Sequence, residues 1–259
     1  MMYFLLALAA VILFFILRSP KKPSSKGITL SDSEIKNNLS ENVLFYKKLN
    51  ETDQIAFIER IKTFLNDVFI EGVNVSVTDL DKLLVASSAI IPVFNFPEWH
   101  YSNLSGVLLY PDRFNSDLGY ASEEKDRMIT GMVGSGKLEK QMILSIKALR
   151  LGFSNKTDKS NTGIHEFVHL IDGLDGSIDG VPDRLIEHQY SIPWMKLIQK
   201  GMADIHNESS DIRPYGGVNE SEFFAVASEY FFERPNLMKR KHPELWKAFN
   251  SFFGQPEEE

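Results

Sequence analysis

Residues 163–169 read Gly-Ile-His-Glu-Phe-Val-His, so two histidines stand four positions apart with a glutamate directly after the first. On an α-helix that spacing sets both imidazoles on one face, a turn apart, close enough to share a divalent ion. A metal held there by neutral nitrogens activates water for hydrolysis. Glu166, beside the ligand stripe rather than in it, is placed to serve as general base. Ile164, Phe167, Val168 and Ile171 occupy the other side. The helix therefore has one face for chemistry and one for a core.

A catalytic zinc takes three protein ligands and keeps a further position open for water. The chain has no cysteine, so every ligand must be His, Asp or Glu. The metzincin extension would need glycine at 172 and histidine at 175, where this sequence has Asp172 and Asp175. Two third ligands remain open on spacing alone: Asp175, or Glu222 arriving from a second helix. Glu222 also reads as a capping-box residue, three positions after a candidate N-cap at Asn219. Asp172, one turn past His169, would either orient a ligand imidazole from behind or sit solvated near a helix end. His100, His188, His206 and His242 lack partners at ligand spacing and read as structural or surface residues. Gly131 to Lys137 fits the first seven positions of a phosphate-binding loop, but Leu138 stands where Ser or Thr must hold magnesium. That stretch reads as a flexible glycine-rich turn.

The elements that must position these residues follow from periodicity. Helical patterns run from Ser31 to about Phe69, over 79–93 ending at Pro92, and over 161–172, 192–207, 219–232 and 243–253. Short apolar runs at 107–110 and 142–146 predict strands, and the second would pair an extended peptide along its edge. The pattern is α+β: a mostly helical, zincin-like metallopeptidase domain over 31–259 with a small sheet. At 259 residues and 43% hydrophobic content the chain can bury a full core. A formal charge of −7, without a basic stripe, argues against nucleic acid as a partner.

Met1 to Leu17 carries no charge and is followed by Arg18, Lys21, Lys22 and Lys26. Positive charge after the apolar run, rather than before it, favours an uncleaved transmembrane anchor over 1–18 against a signal peptide. The expectation is a single-pass membrane protein with a polar tether over 19–30 and a cytoplasmic catalytic domain.

Beyond the zinc motif, His165 to Asp172 (HEFVHLID) is followed by Tyr215-Gly216, by Glu222 to Val226 (EFFAV) and by Ser228 to Phe232 (SEYFF). Weaker matches lie at 107–114 and 142–145. Over about residues 40–255 the chain resembles the Mlc titration factor A family of zinc peptidases, and more distantly the catalytic domain of anthrax lethal factor. The resemblance implies one zinc ion held by His165, His169 and Glu222, with Tyr215 facing it as an oxyanion donor beside the catalytic Glu166. It also implies aminopeptidase action on a peptide or protein substrate. The alternative it implies is a regulatory binding protein that sequesters a transcriptional regulator. A structural zinc site without catalysis is a third reading.

Overall fold

A computed structural model describes residues 27–114, 130–133, 140–155, 157–185 and 191–254. The described part opens with three helices, α1 (Asp32–Asn42), α2 (Leu44–Lys48) and α3 (Glu51–Asp67), and strand β1 (Phe69–Gly72). Helix α4 (Asp79–Ile90) runs into a 3-10 turn at Ile91–Val93. Strands β2 (Gly106–Tyr110), β3 (Gly131–Val133) and β4 (Gln141–Ser145) lead to α5 (Ile146–Ser154) and α6 (Thr162–Asp172). The remainder is α7 (Ser191–His206), a 3-10 turn at Pro214–Gly217, α8 (Glu220–Glu233), α9 (Pro235–Lys241) and α10 (Pro243–Phe253).

Local chemistry starts these helices where they start. Ser31 with Glu34, and Thr78 with Asp81, form capping boxes for α1 and α4. Asn50, Ser145, Asn161 and Asn219 each accept a first-turn backbone N–H with the side chain. Pro235 and Pro243 open α9 and α10, where a missing N–H costs nothing. The predicted helix over 31–69 is thus three helices, interrupted at Val43 and Leu49, with β1 already begun at its end.

The four strands lie in the order β1-β2-β4-β3. The first three are parallel, and β3 is antiparallel to β4 with Met132 opposite Ile143. Parallel strands must be covered on both faces, which explains why Met142, Ile143 and Leu144 are fully buried. It also corrects the expected peptide-binding edge: β4 has a neighbour on each side, and among the described residues the outer strands are β1 and β3. The three residues taken as the start of a glycine-rich turn, 131–133, are that strand; 134–137 lie outside the described residues.

Helix α6 packs against β3 and β4, with α4 and α8 each packed on α6, around one continuous core. Phe167, on the apolar side of α6, is fully buried with its ring 5.3 Å from Tyr101 and 5.7 Å from Phe64. Truncating such a ring to alanine costs about 3–5 kcal/mol. Gly163 in the first turn of α6 lies so close to α4 that a Cβ there would collide with Ser88. Residues 27–30, at the end of the predicted tether, join the body: the Gly27 N–H bonds the Leu65 carbonyl at 2.9 Å, and Ile28 and Leu30 pack on the core.

The expected single-pass anchor is corrected. Among the described residues no helix is long and apolar enough to cross a membrane. Residues 1–18 lie outside them, and an apolar run of 17 residues would rise only about 25 Å against a hydrocarbon core of about 30 Å.

Candidate metal centre and cleft

The metal-type chemistry sits where α6 and α8 pack side by side. His165 and His169 project from one stripe of α6, and their Nε2 atoms approach to 3.1 Å. Glu222, in the first turn of α8, brings its Oε2 to 3.1 Å from His165 Nε2 and 3.5 Å from His169 Nε2. One ligand atom from each of the three lies within 4.8 Å of the others. Asp175, the rival third ligand, belongs to the exposed 3-10 turn and accepts the Ser177 N–H at 2.9 Å. Glu222 is therefore the carboxylate brought to the histidines. Its capping reading is half right: Asn219 Oδ1 accepts the Glu222 N–H at 2.8 Å, while the Glu222 side chain turns to the imidazoles instead of back to the cap.

The outer nitrogens are held as well. His165 Nδ1 faces Glu229 Oε1 at 2.8 Å, and His169 Nδ1 faces Ser221 Oγ at 3.0 Å. A buried carboxylate at Nδ1 fixes the proton there and leaves the Nε2 lone pair pointing inward. Glu229 also accepts the Asn161 backbone N–H at 2.5 Å and pairs with the Arg213 guanidinium. It lies 1% exposed, within a mostly apolar stretch of α8. Burial alone would depress the His165 pKa, but the Glu222 and Glu229 carboxylates raise it well above the usual imidazole range. Glu222 is held well below the usual carboxylate range: desolvation opposes this, and the two imidazoles overcome it. Two imidazole nitrogens and a carboxylate oxygen thus converge on one small space. The donor set, two imidazoles and one carboxylate, fits a metal ion.

Glu166 is 5% exposed and packs flat against the edge strand. A Cβ on Gly131 would lie 2.5 Å from its Oε1, so glycine is what lets β3 close over the carboxylate. Burial raises the Glu166 pKa, and the two imidazoles lower it in part. Tyr215, 38% exposed in the 3-10 turn before α8, donates its hydroxyl to Glu222 Oε1 at 2.9 Å. These groups line a cavity of about 620 Å³ whose opposite wall is Gly131, Met132 and Val133 of β3. That volume suits several residues of an extended peptide.

Asp172 does neither of the things expected of it. It is fully buried, accepts the Gly180 N–H at 2.8 Å and so ties down the loop after α6. Burial pushes its carboxyl up to about 7. His242 pairs with Asp211 at 2.7 Å, a structural role as expected, and His188 lies outside the described residues. Glu229, Arg213 and Ser221 were missed. Glu229 had a signal: it follows Glu222 by two helical turns and so shares its stripe.

The chain is similar over most of its length to known proteins. An uncharacterized protein of Synechocystis sp. is 29% identical over 226 residues, covering 83% of this chain and 81% of its own. Mlc titration factor A of Cronobacter sakazakii is 29% identical over 195 residues, with 68% and 70% covered. That of Escherichia fergusonii is 28% identical over 223 residues, with 79% of each covered. A model of the glucose-regulated metallo-peptidase M90 family matches residues 23–254, and the chain belongs to that family.

Proposed function

We propose that this protein is a zinc-dependent peptidase, with residues 31–259 as its peptidase domain. His165, His169 and Glu222 hold the metal, and Glu166 is the general base. The observation that carries the reading is the convergence of two imidazole Nε2 atoms and the Glu222 carboxylate beside a buried glutamate, at the floor of a peptide-sized cavity. A zinc ion bound there acidifies water and polarises a carbonyl oxygen. Glu166 takes the proton of the attacking water and returns it to the leaving amine. Tyr215 swings its hydroxyl from Glu222 toward the developing oxyanion. The edge of β3 away from β4, unpaired among the described residues, pairs with the substrate backbone and holds the scissile bond over Glu166.

The test is metal analysis of the purified protein together with cleavage of a peptide library. Glu166→Gln should retain stoichiometric zinc and lose hydrolysis. Zinc-loaded wild-type protein that cleaves nothing would overturn the peptidase reading. A second reading is supported by the name of the relatives, Mlc titration factor A: the chain binds a transcriptional regulator and acts by sequestering it. In that case a cellular effect survives Glu166→Gln unchanged.

A further inference from the structure

Beside the metal cavity lies a second one of about 580 Å³, and the two share Thr130, Ser160, Thr162 and Arg213. Its far wall carries Arg113, from the segment after β2, and Lys147, in the first turn of α5. Three cationic side chains from three separate segments thus face one recess that opens directly onto the candidate catalytic groups.

The acidic side chains in the same recess are already committed. Asp158 accepts the Asn155 amide at 2.8 Å and the Ser160 N–H at 3.3 Å. Asp112 accepts the Arg113 N–H at 2.9 Å and Lys147 Nζ at 3.0 Å. The Lys147–Asp112 pair is 72% and 54% exposed, so it is a weak surface pair that an incoming anion can displace. Arg213 stands at the junction. One of its nitrogens is fixed on Glu229, while its Nε is buried and has no partner among the described residues. Buried donors of this kind are matched by an acceptor, and a guanidinium matches a carboxylate.

We infer that this second cavity is a subsite for a substrate carboxylate, flanking the scissile bond and read by Arg113, Lys147 and Arg213. The inference rests on the peptidase reading for the identity of the ligand as a peptide. In a chain of net charge −7, three cations gathered around one recess, against two acids already held by other donors, make this a region that favours anions. The carboxylate belongs either to an aspartate or glutamate side chain or to a free C-terminus.

The test measures binding, so that it stands apart from turnover. Fluorescent peptides are titrated into zinc-loaded Glu166→Gln protein as matched sets: Glu or Gln at each position in turn, and a free or amidated C-terminus. At least one carboxylate peptide should bind about tenfold more tightly than its neutral partner, with the advantage shrinking at high salt. A Glu/Gln difference assigns the side chain, and an acid/amide difference assigns the terminus. In Arg113→Gln/Lys147→Gln the ratio should fall towards one, with zinc content and melting temperature checked to exclude misfolding. Arg213→Lys should keep part of the preference that Arg213→Gln loses. Equal affinities throughout each set would overturn the subsite even if peptides are cleaved. Absence of cleavage by the zinc-loaded wild-type protein, with the binding preference intact, would overturn only the peptidase reading.

Discussion

Replacing Glu229 by glutamine probes how much the metal group depends on what lies behind it. The carboxylate serves three donors: His165 Nδ1 and Arg213 at Oε1, and the Asn161 N–H at Oε2. A glutamine of the same shape offers one carbonyl oxygen and one NH₂. If the oxygen stays with His165, the NH₂ meets the Asn161 N–H, donor against donor, in a place closed to water. Leaving a buried donor unsatisfied costs about 1–3 kcal/mol, and losing the charge opposite Arg213 adds to it. Destabilisation should therefore be about 2–4 kcal/mol, read by urea unfolding of the metal-free protein. Metal affinity should fall separately, since groups that orient a ligand histidine are worth about 10–100-fold. Competition with a chromophoric zinc chelator measures this. A zinc affinity within threefold of wild type, in a protein destabilised as stated, would refute the claim that Glu229 acts through His165. The residue would then be a fold-holding carboxylate only.

Further outcomes follow from the same coordinates. Gly131→Ala sets a methyl against the Glu166 side chain; turnover should drop about 100-fold with zinc content unchanged, because small displacements of a catalytic group carry costs of that order. Burial pushes the Glu233 carboxyl up to about 7, although the Asn161 amide donates to it at 2.9 Å. A carboxyl with a raised folded-state pKa stabilises fully below its unfolded value near 4.5 and loses that stability as pH rises through 7. Glu233→Gln should remove a pH-dependent loss on the order of 3 kcal/mol between pH 4.5 and 8, measured by denaturant midpoints at both ends. A parallel pH profile for wild type and variant would refute it.

The motif helix was legible because two independent signals coincide there: metal-ligand spacing on one stripe and apolar residues on the other. Which acid joins the two histidines was not, since no spacing rule chooses between Asp175 just after the motif and Glu222 on a second helix. Only docking of α6 on α8 decides, and the contacts that join them, Asn161 and His165 to Glu229 and His169 to Ser221, carry no periodic signal. Strands β1 and β3 escaped notice because four and three residues are too few to show alternation. The start of α5 was hidden in the apolar run that continues from β4 through Ile146. Asp172 was misjudged because its burial depends on Gly180 folding back over it, a contact made by a loop without periodic pattern. Arg213 left no trace in the sequence at all: it is one more polar residue in a turn until Glu229 is seen beneath it.

The two walls of the cleft are built to different standards of permanence. Helices α6 and α8 are almost entirely buried and tied together through Asn161, Glu229 and Ser221. Opposite them, β3 has three partly exposed residues paired to β4. Native-state amide exchange should therefore divide the molecule, with the histidine-bearing helix opening only on global unfolding and Met132 and Val133 exchanging through cheaper local events. Such a division lets the floor keep its geometry while the rim yields to fit side chains of different bulk.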